Sequence, residues 1–110
     1  MDAAGEELAD RVRALLSGAD GLEERRMFGT RAFLLDGRIL VGARPGGTLL
    51  VRVEEESGVT LATRAGVALA VMGTRTMGTG WLDVANSVLI DDGELMFWVD
   101  VARENAQQPG

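Results

Sequence analysis

The chain has no histidine, no cysteine, no tyrosine and no lysine, since all eleven of its basic residues are arginine. Each absence removes a class of chemistry. Without cysteine there is no disulfide framework, thiolate nucleophile or zinc-thiolate site, and without histidine the usual neutral-pH base and metal ligand are missing. The Ser-His-Asp and Cys-His arrangements are therefore excluded. Without lysine there is no Schiff base and no lysine-bearing phosphate loop. Carboxylates, a few hydroxyls and arginine remain for chemistry, and no catalytic residue, cofactor or metal site is expected from them. Aromatic residues are few, at 5%, and prolines number two. Long apolar runs are also missing. The stretch from Ala65 to Thr74 is uncharged, but it is about half the ~20 residues a membrane-spanning helix needs. The N-terminus, Met1-Asp2-Ala3-Ala4-Gly5-Glu6-Glu7, is acidic where a signal peptide is basic. The expectation is a cytoplasmic protein without membrane contact.

What is present suits one α+β domain spanning residues 1–110, with its ordered core at about 4–106. At 110 residues, with 46% apolar and 25% charged side chains, the chain can bury roughly two-thirds of its unfolded surface without covalent staples. The net charge of −6 is unevenly spread. Residues 1–24 hold two arginines and seven acids, 25–75 eight arginines and four acids, and 76–110 one arginine and six acids. A basic middle thus lies between acidic ends. Exposed pairs between them would contribute at most about 1 kcal/mol each.

Leu8, Val12, Leu15 and Leu16 form one stripe of a first helix, with Glu6 and Glu7 at the positive end of its dipole and Ser17-Gly18 ending it. Asp91, three residues before Glu94, has capping-box spacing for a last helix whose Leu95, Trp98, Val99 and Ala102 share a face to about Asn105. Gln107 to Gly110 should fray.

Between the helices the pattern is that of strands. Asp36-Gly37 is a two-residue hairpin signal separating Met27–Leu35 from Arg38–Arg44. Unbroken alternation would set Leu34 opposite Ile39, Phe33 opposite Leu40 and Ala32 opposite Val41. One face would then hold Phe28, Thr30, Ala32, Leu34, Ile39, Val41 and Ala43 under the helices. A third strand, Thr48–Val53, continues that face with Leu49, Val51 and Val53. Glu54-Glu55-Glu56 opens a helix to about Ala65, with Gly66 as its C-terminal cap. Three consecutive glutamates of a helix point in different directions and converge poorly on a metal. Ala68–Met72 and Trp81–Val84 are the remaining strands, joined by the glycine-rich segment Gly73 to Gly80. The order is α-βββ-α-ββ-α, an antiparallel sheet packed against helices.

On these residues a family resemblance emerges. Arg25-Arg26-Met27-Phe28-Gly29, the Asp36-Gly37 hairpin, Leu49-Leu50-Val51-Arg52-Val53, Met77-Gly78 before Trp81, and the acidic-capped terminal helix together resemble the TfoX N-terminal domain family, from about Leu8 to Ala106. The resemblance implies an α+β fold of the kind also seen in secretion chaperones. It also implies a regulatory or protein-interaction module without catalysis, linked to transcription and competence for DNA uptake through a protein partner. Thr30 stands where related sequences often carry a second glycine. An Arg-Pro-Met step is absent from the segment Val71 to Met77.

Three candidate surfaces follow from the residues. The second face of the hairpin would carry Phe33, Leu35, Leu40 and Leu50 edged by Arg31, Arg38, Arg44 and Arg52, a composition suited to a protein interface and to a homodimer. Arg25, Arg26 and Arg75 are candidate anion contacts through the guanidinium fork. They support the alternative of a small ligand-binding protein or minor enzyme, in which Glu54 or Asp83 in a cleft would serve as the acid. The glycines around Arg75 resemble a phosphate loop, but Trp81-Leu82-Asp83-Val84 reads as extended where such a loop needs a helix. Direct DNA binding is not expected at this net charge and without a recognition helix.

Overall fold

The computed structural model describes residues 1–106; the expected fraying of Gln107 to Gly110 falls outside the described residues. The order is α1 (Ala3–Leu16), β1 (Leu22–Met27), β2 (Thr30–Leu35), β3 (Arg38–Arg44), a 3-10 turn (Pro45–Gly47), β4 (Thr48–Arg52), α2 (Glu55–Leu61), β5 (Val67–Leu69), β6 (Val71–Met72), β7 (Arg75–Thr76), β8 (Trp81–Val84), α3 (Asn86–Leu89) and α4 (Asp92–Ala106). Six strands form one antiparallel sheet in the order β1-β2-β3-β4-β8-β5, and β6 and β7 make a separate small hairpin. This is the α+β architecture expected, with one more strand in front and a finer division behind.

The helices form for local reasons. Asp2 caps α1, its Oδ1 accepting from the Gly5 amide at 2.9 Å. Both carboxylate oxygens also accept from the Gly46 amide, at 3.0 and 2.8 Å, tying the helix start to the turn before β4. These amide donors hold the Asp2 carboxyl below the usual aspartate range. At the other end the Asp91 carboxylate accepts from the Gly93 amide at 2.8 Å, the capping role expected of it. Leu8, Ala9, Val12 and Leu16 of α1 and Leu95, Trp98, Val99 and Ala102 of α4 are buried against the sheet. The helix from Glu54 to Ala65 is shorter than expected, because after Leu61 the chain tightens into three-residue turns (Thr63 N to Thr60 O, Arg64 N to Leu61 O). Gly66 lies beyond it in a left-handed conformation, φ 78°, beside Val88.

The first strand, Leu22–Met27, carries four consecutive charged residues and no alternation that predicts it. The run Met27–Leu35 is not one strand: it divides at Phe28 and Gly29, whose φ of 51° and 76° form a tight reversal between β1 and β2. Phe28 is therefore no member of the covered face and stands 84% exposed at a hairpin tip.

The Asp36-Gly37 reversal is where the sequence places it, with Leu35 opposite Arg38 and Leu34 opposite Ile39. The register then slips by one. Phe33 pairs with Val41 and Ala32 with Gly42, leaving Leu40 as the extra residue of a β-bulge. Because side chains alternate, one inserted residue exchanges the faces beyond it. The face under α1 and α4 is accordingly built from Phe33, Val41, Ala43, Leu49, Val51, Leu82 and Val84, all fully buried, with Leu40 turned into the same cluster. Thr30, Ala32, Leu34 and Ile39, expected beneath the helices, lie by register on the opposite side, while Val41 and Ala43 are covered as expected. Each large apolar side chain in this core contributes about 1.5–3 kcal/mol of burial free energy.

Candidate functional site

The expected interface does not exist as one surface. The bulge divides its members between the two sides of the sheet. Phe33 and Leu40 are 0% and 1% exposed within the core, and Leu35 packs against it. Leu50 lies on the far face and is itself buried. The four arginines are dispersed and engaged. Arg31 reaches Glu24 at 2.8 Å, and Arg38 donates to the Ala106 carbonyl at 2.9 Å, at the end of α4. Arg44 donates to both Asp83 oxygens, at 2.8 and 2.9 Å, and to the Val71 carbonyl at 3.0 Å, pinning the β6–β7 hairpin to the far face. Arg52 lies over the Trp81 ring, 5.4 Å from its centre. An alternation argument could not have found this arrangement, because nothing in the residue pattern marks Leu40 as a bulge.

The anion contacts are also separated. Arg25 donates to its own neighbour Glu23, with Nε 3.0 Å from Oε2. Arg26, next to it on a strand, points to the opposite side. Arg75 is on β7, in the small hairpin. Arg26 and Arg75 make no ion pair among the described residues.

Several concavities are lined by charged residues, and two of them hold an arginine close to both an acid and an aromatic ring or the end of α4. A cleft of about 230 Å³ is bounded by Arg38, Arg52, Glu54, Glu55 and Asn105, whose Oδ1 accepts the Glu54 amide at 2.6 Å. Its two cations face two anions, and Asp83 is elsewhere, held by Arg44. A second cavity, about 240 Å³, is bordered by Arg64, Val67, Val88, Glu94 and Trp98. Arg64 lies 4.5 Å over the Phe97 ring and 3.7 Å from Glu94. The indole Nε1 of Trp98 is buried with no hydrogen-bond partner among the described residues. Neither concavity brings an acid and a base together in the manner of a reaction centre, and among the described residues no three acidic side chains could share a metal ion.

The most exposed large apolar side chain is Phe28, within the Met27-Phe28-Gly29 step. Behind it β1 is anchored from inside: Glu24 receives Arg13 of α1 (Nε 2.8 Å, Nη2 3.1 Å) and Arg31 of β2. These guanidinium groups hold the Glu24 carboxyl below the usual glutamate range, outweighing its partial burial. The arm is thus fixed to the body while its tip and outer edge face solvent. The sequence signal for it was Phe28-Gly29 read as a turn; reading Phe28 as a core residue concealed it.

A family model, the TfoX N-terminal domain, matches residues 14–106. The chain belongs to the TfoX N-terminal domain family. No curated protein matches it. In this TfoX N-terminal domain the family match covers every strand and α4, and the Phe28 turn falls inside it. No helix among the described residues is long and apolar enough to cross a membrane.

Proposed function

We propose that this TfoX N-terminal domain is a non-catalytic, cytoplasmic protein-interaction module that acts on transcription by contacting a protein rather than DNA. One observation carries the reading: a phenylalanine 84% exposed in a left-handed turn at the tip of an anchored hairpin. Phenylalanine is a poor choice at positive φ, where glycine or asparagine is favoured. Strain of this kind persists where function needs it. An exposed aromatic residue is also the type enriched among interface anchors.

Charge supports a protein as the contact. At −6 the domain repels a phosphate backbone except at local patches. The most basic stretch, Arg25 to Arg75, has most of its arginines tied to acids, carbonyls or rings. A photo-crosslinking residue at position 28, activated in living cells, should give discrete protein adducts. Absence of any adduct from a folded variant would refute the reading, as would tight duplex binding in a low-salt gel shift.

A further inference from the structure

The sheet has two edges, and they differ. β5 is three residues long, whereas β1 is six, with residues 23–26 all exposed. The ladder between β1 and β2 runs from Leu22 opposite Leu35 to Met27 opposite Thr30. One step further along the same register, the Asp36 amide donates to the Gly21 carbonyl at 3.1 Å. Bonded and non-bonded pairs alternate along an antiparallel ladder. The odd-numbered residues of β1 therefore turn their backbone groups to β2, and Leu22, Glu24 and Arg26 turn theirs outward, away from the sheet.

We infer that this outward edge pairs with β1 of a second copy, joining two six-stranded sheets antiparallel across a twofold axis. The inference rests on the interaction-module reading and names its partner. Such an axis stands normal to the sheet and keeps each side chain on its own side, so residues opposite each other have the same parity. Two registers then centre on the middle of the charged run Glu23-Glu24-Arg25-Arg26, at Glu24 or at Arg25. One sets Glu24 against Glu24 and Glu23 against Arg25 of the second copy, twice by symmetry. The other sets Glu24 against Arg26 of the second copy, twice by symmetry, and brings Leu22 level with Phe28 of the second copy.

Each register holds two opposite-charge pairs and one like-charge pair, so the choice falls to the groups still free, and these favour the second. It brings Arg26, which borders a concavity with Glu6 but makes no ion pair among the described residues, to the second copy's Glu24 carboxylate, which also receives Arg13 and Arg31. It also brings the turn that carries exposed Phe28 level with half-buried Leu22, at the margin of the core. At its centre Arg25 meets Arg25, but each is already joined to its own Glu23, so the central four groups sum to zero charge. Charged residues on an edge strand usually prevent indiscriminate pairing. Here their order admits a strand with the same order reversed, which the second copy supplies.

The test is light scattering over a concentration series together with amide exchange by NMR. The expected result is a concentration-dependent dimer in which the Leu22, Glu24 and Arg26 amides become protected as dimer forms, while the odd-numbered amides are protected throughout. Arg26→Glu, an exposed change, should weaken the dimer about tenfold or more by replacing two opposite-charge pairs with like-charge ones; Arg26→Lys should largely retain it. A monomer at every concentration would overturn the inference, as would a dimer that survives Arg26→Glu or leaves the even-numbered amides unprotected. In each of those cases adducts from position 28 to a different protein would leave the interaction-module reading standing.

Discussion

Phe28→Asn should make the domain more stable and less able to bind. Phe28 has φ 51°, followed by Gly29 at 76°. A residue with a β-carbon enters that region at about 1–2 kcal/mol, and asparagine at less, because its short side chain hydrogen-bonds locally. Asn-Gly is also the preferred pair for a reversal with two left-handed residues. The opposing loss is small, since a ring 84% exposed contributes little burial. The balance is about 1 kcal/mol in favour of asparagine, or roughly 4 °C in Tm for a domain of this size. Thermal unfolding of dilute protein, where association contributes nothing, measures it. Phe28→Ala is the control: it removes the same ring and keeps the strain, so it should melt within about 0.5 kcal/mol of the parent. If the asparagine and alanine variants melt together, or asparagine melts lower, the strain argument is wrong. Loss of the contact at position 28 should accompany the gain in Tm, the opposition of stability and function expected at a strained site.

Two other expectations concern the body of the domain. Gly58 sits in α2 where an added β-carbon would lie 1.6 Å from the Thr79 carbonyl oxygen. Gly58→Ala should therefore destabilise by about 3 kcal/mol or more, read as a lower urea midpoint, because backbone has to move to admit it. Glu24→Gln should remove the charge that joins α1 to β1 and β2, at up to about 1 kcal/mol at neutral pH and less at high salt. Glu24 has a folded pKa below the ordinary 4.5. Its stabilisation is thus complete above that value and lost as pH falls through the lower folded one. The Tm difference between parent and Glu24→Gln should shrink over that acid range, and a difference independent of pH would refute the assignment.

Much of the fold is legible in the residues because its causes are local. The stripes Leu8-Val12-Leu16 and Leu95-Trp98-Val99-Ala102 bury as their spacing requires. Asp36-Gly37 turns the chain because both positions adopt positive φ, 52° and 83°. The faces of β2 and the first strand were not legible. Leu40 is apolar in either register, so the bulge leaves no mark in the hydrophobic pattern, yet it decides which side of β2 meets the helices. Phe28 was concealed by its own type, since an aromatic beside a strand reads as core until the turn places it outside. The arginine-edged surface failed with the register on which it depended.

By itself the sequence determined the fold class, the helix faces, the Asp36-Gly37 reversal and the exclusion of histidine, cysteine and lysine chemistry, because composition, short-range periodicity and turn propensity act within a few residues. Only the tertiary structure decided which strand face is covered, that β1 forms a long outer edge, and that Phe28 faces solvent. Those outcomes depend on pairings between distant segments, where one inserted residue reverses an entire face and no local preference records the choice.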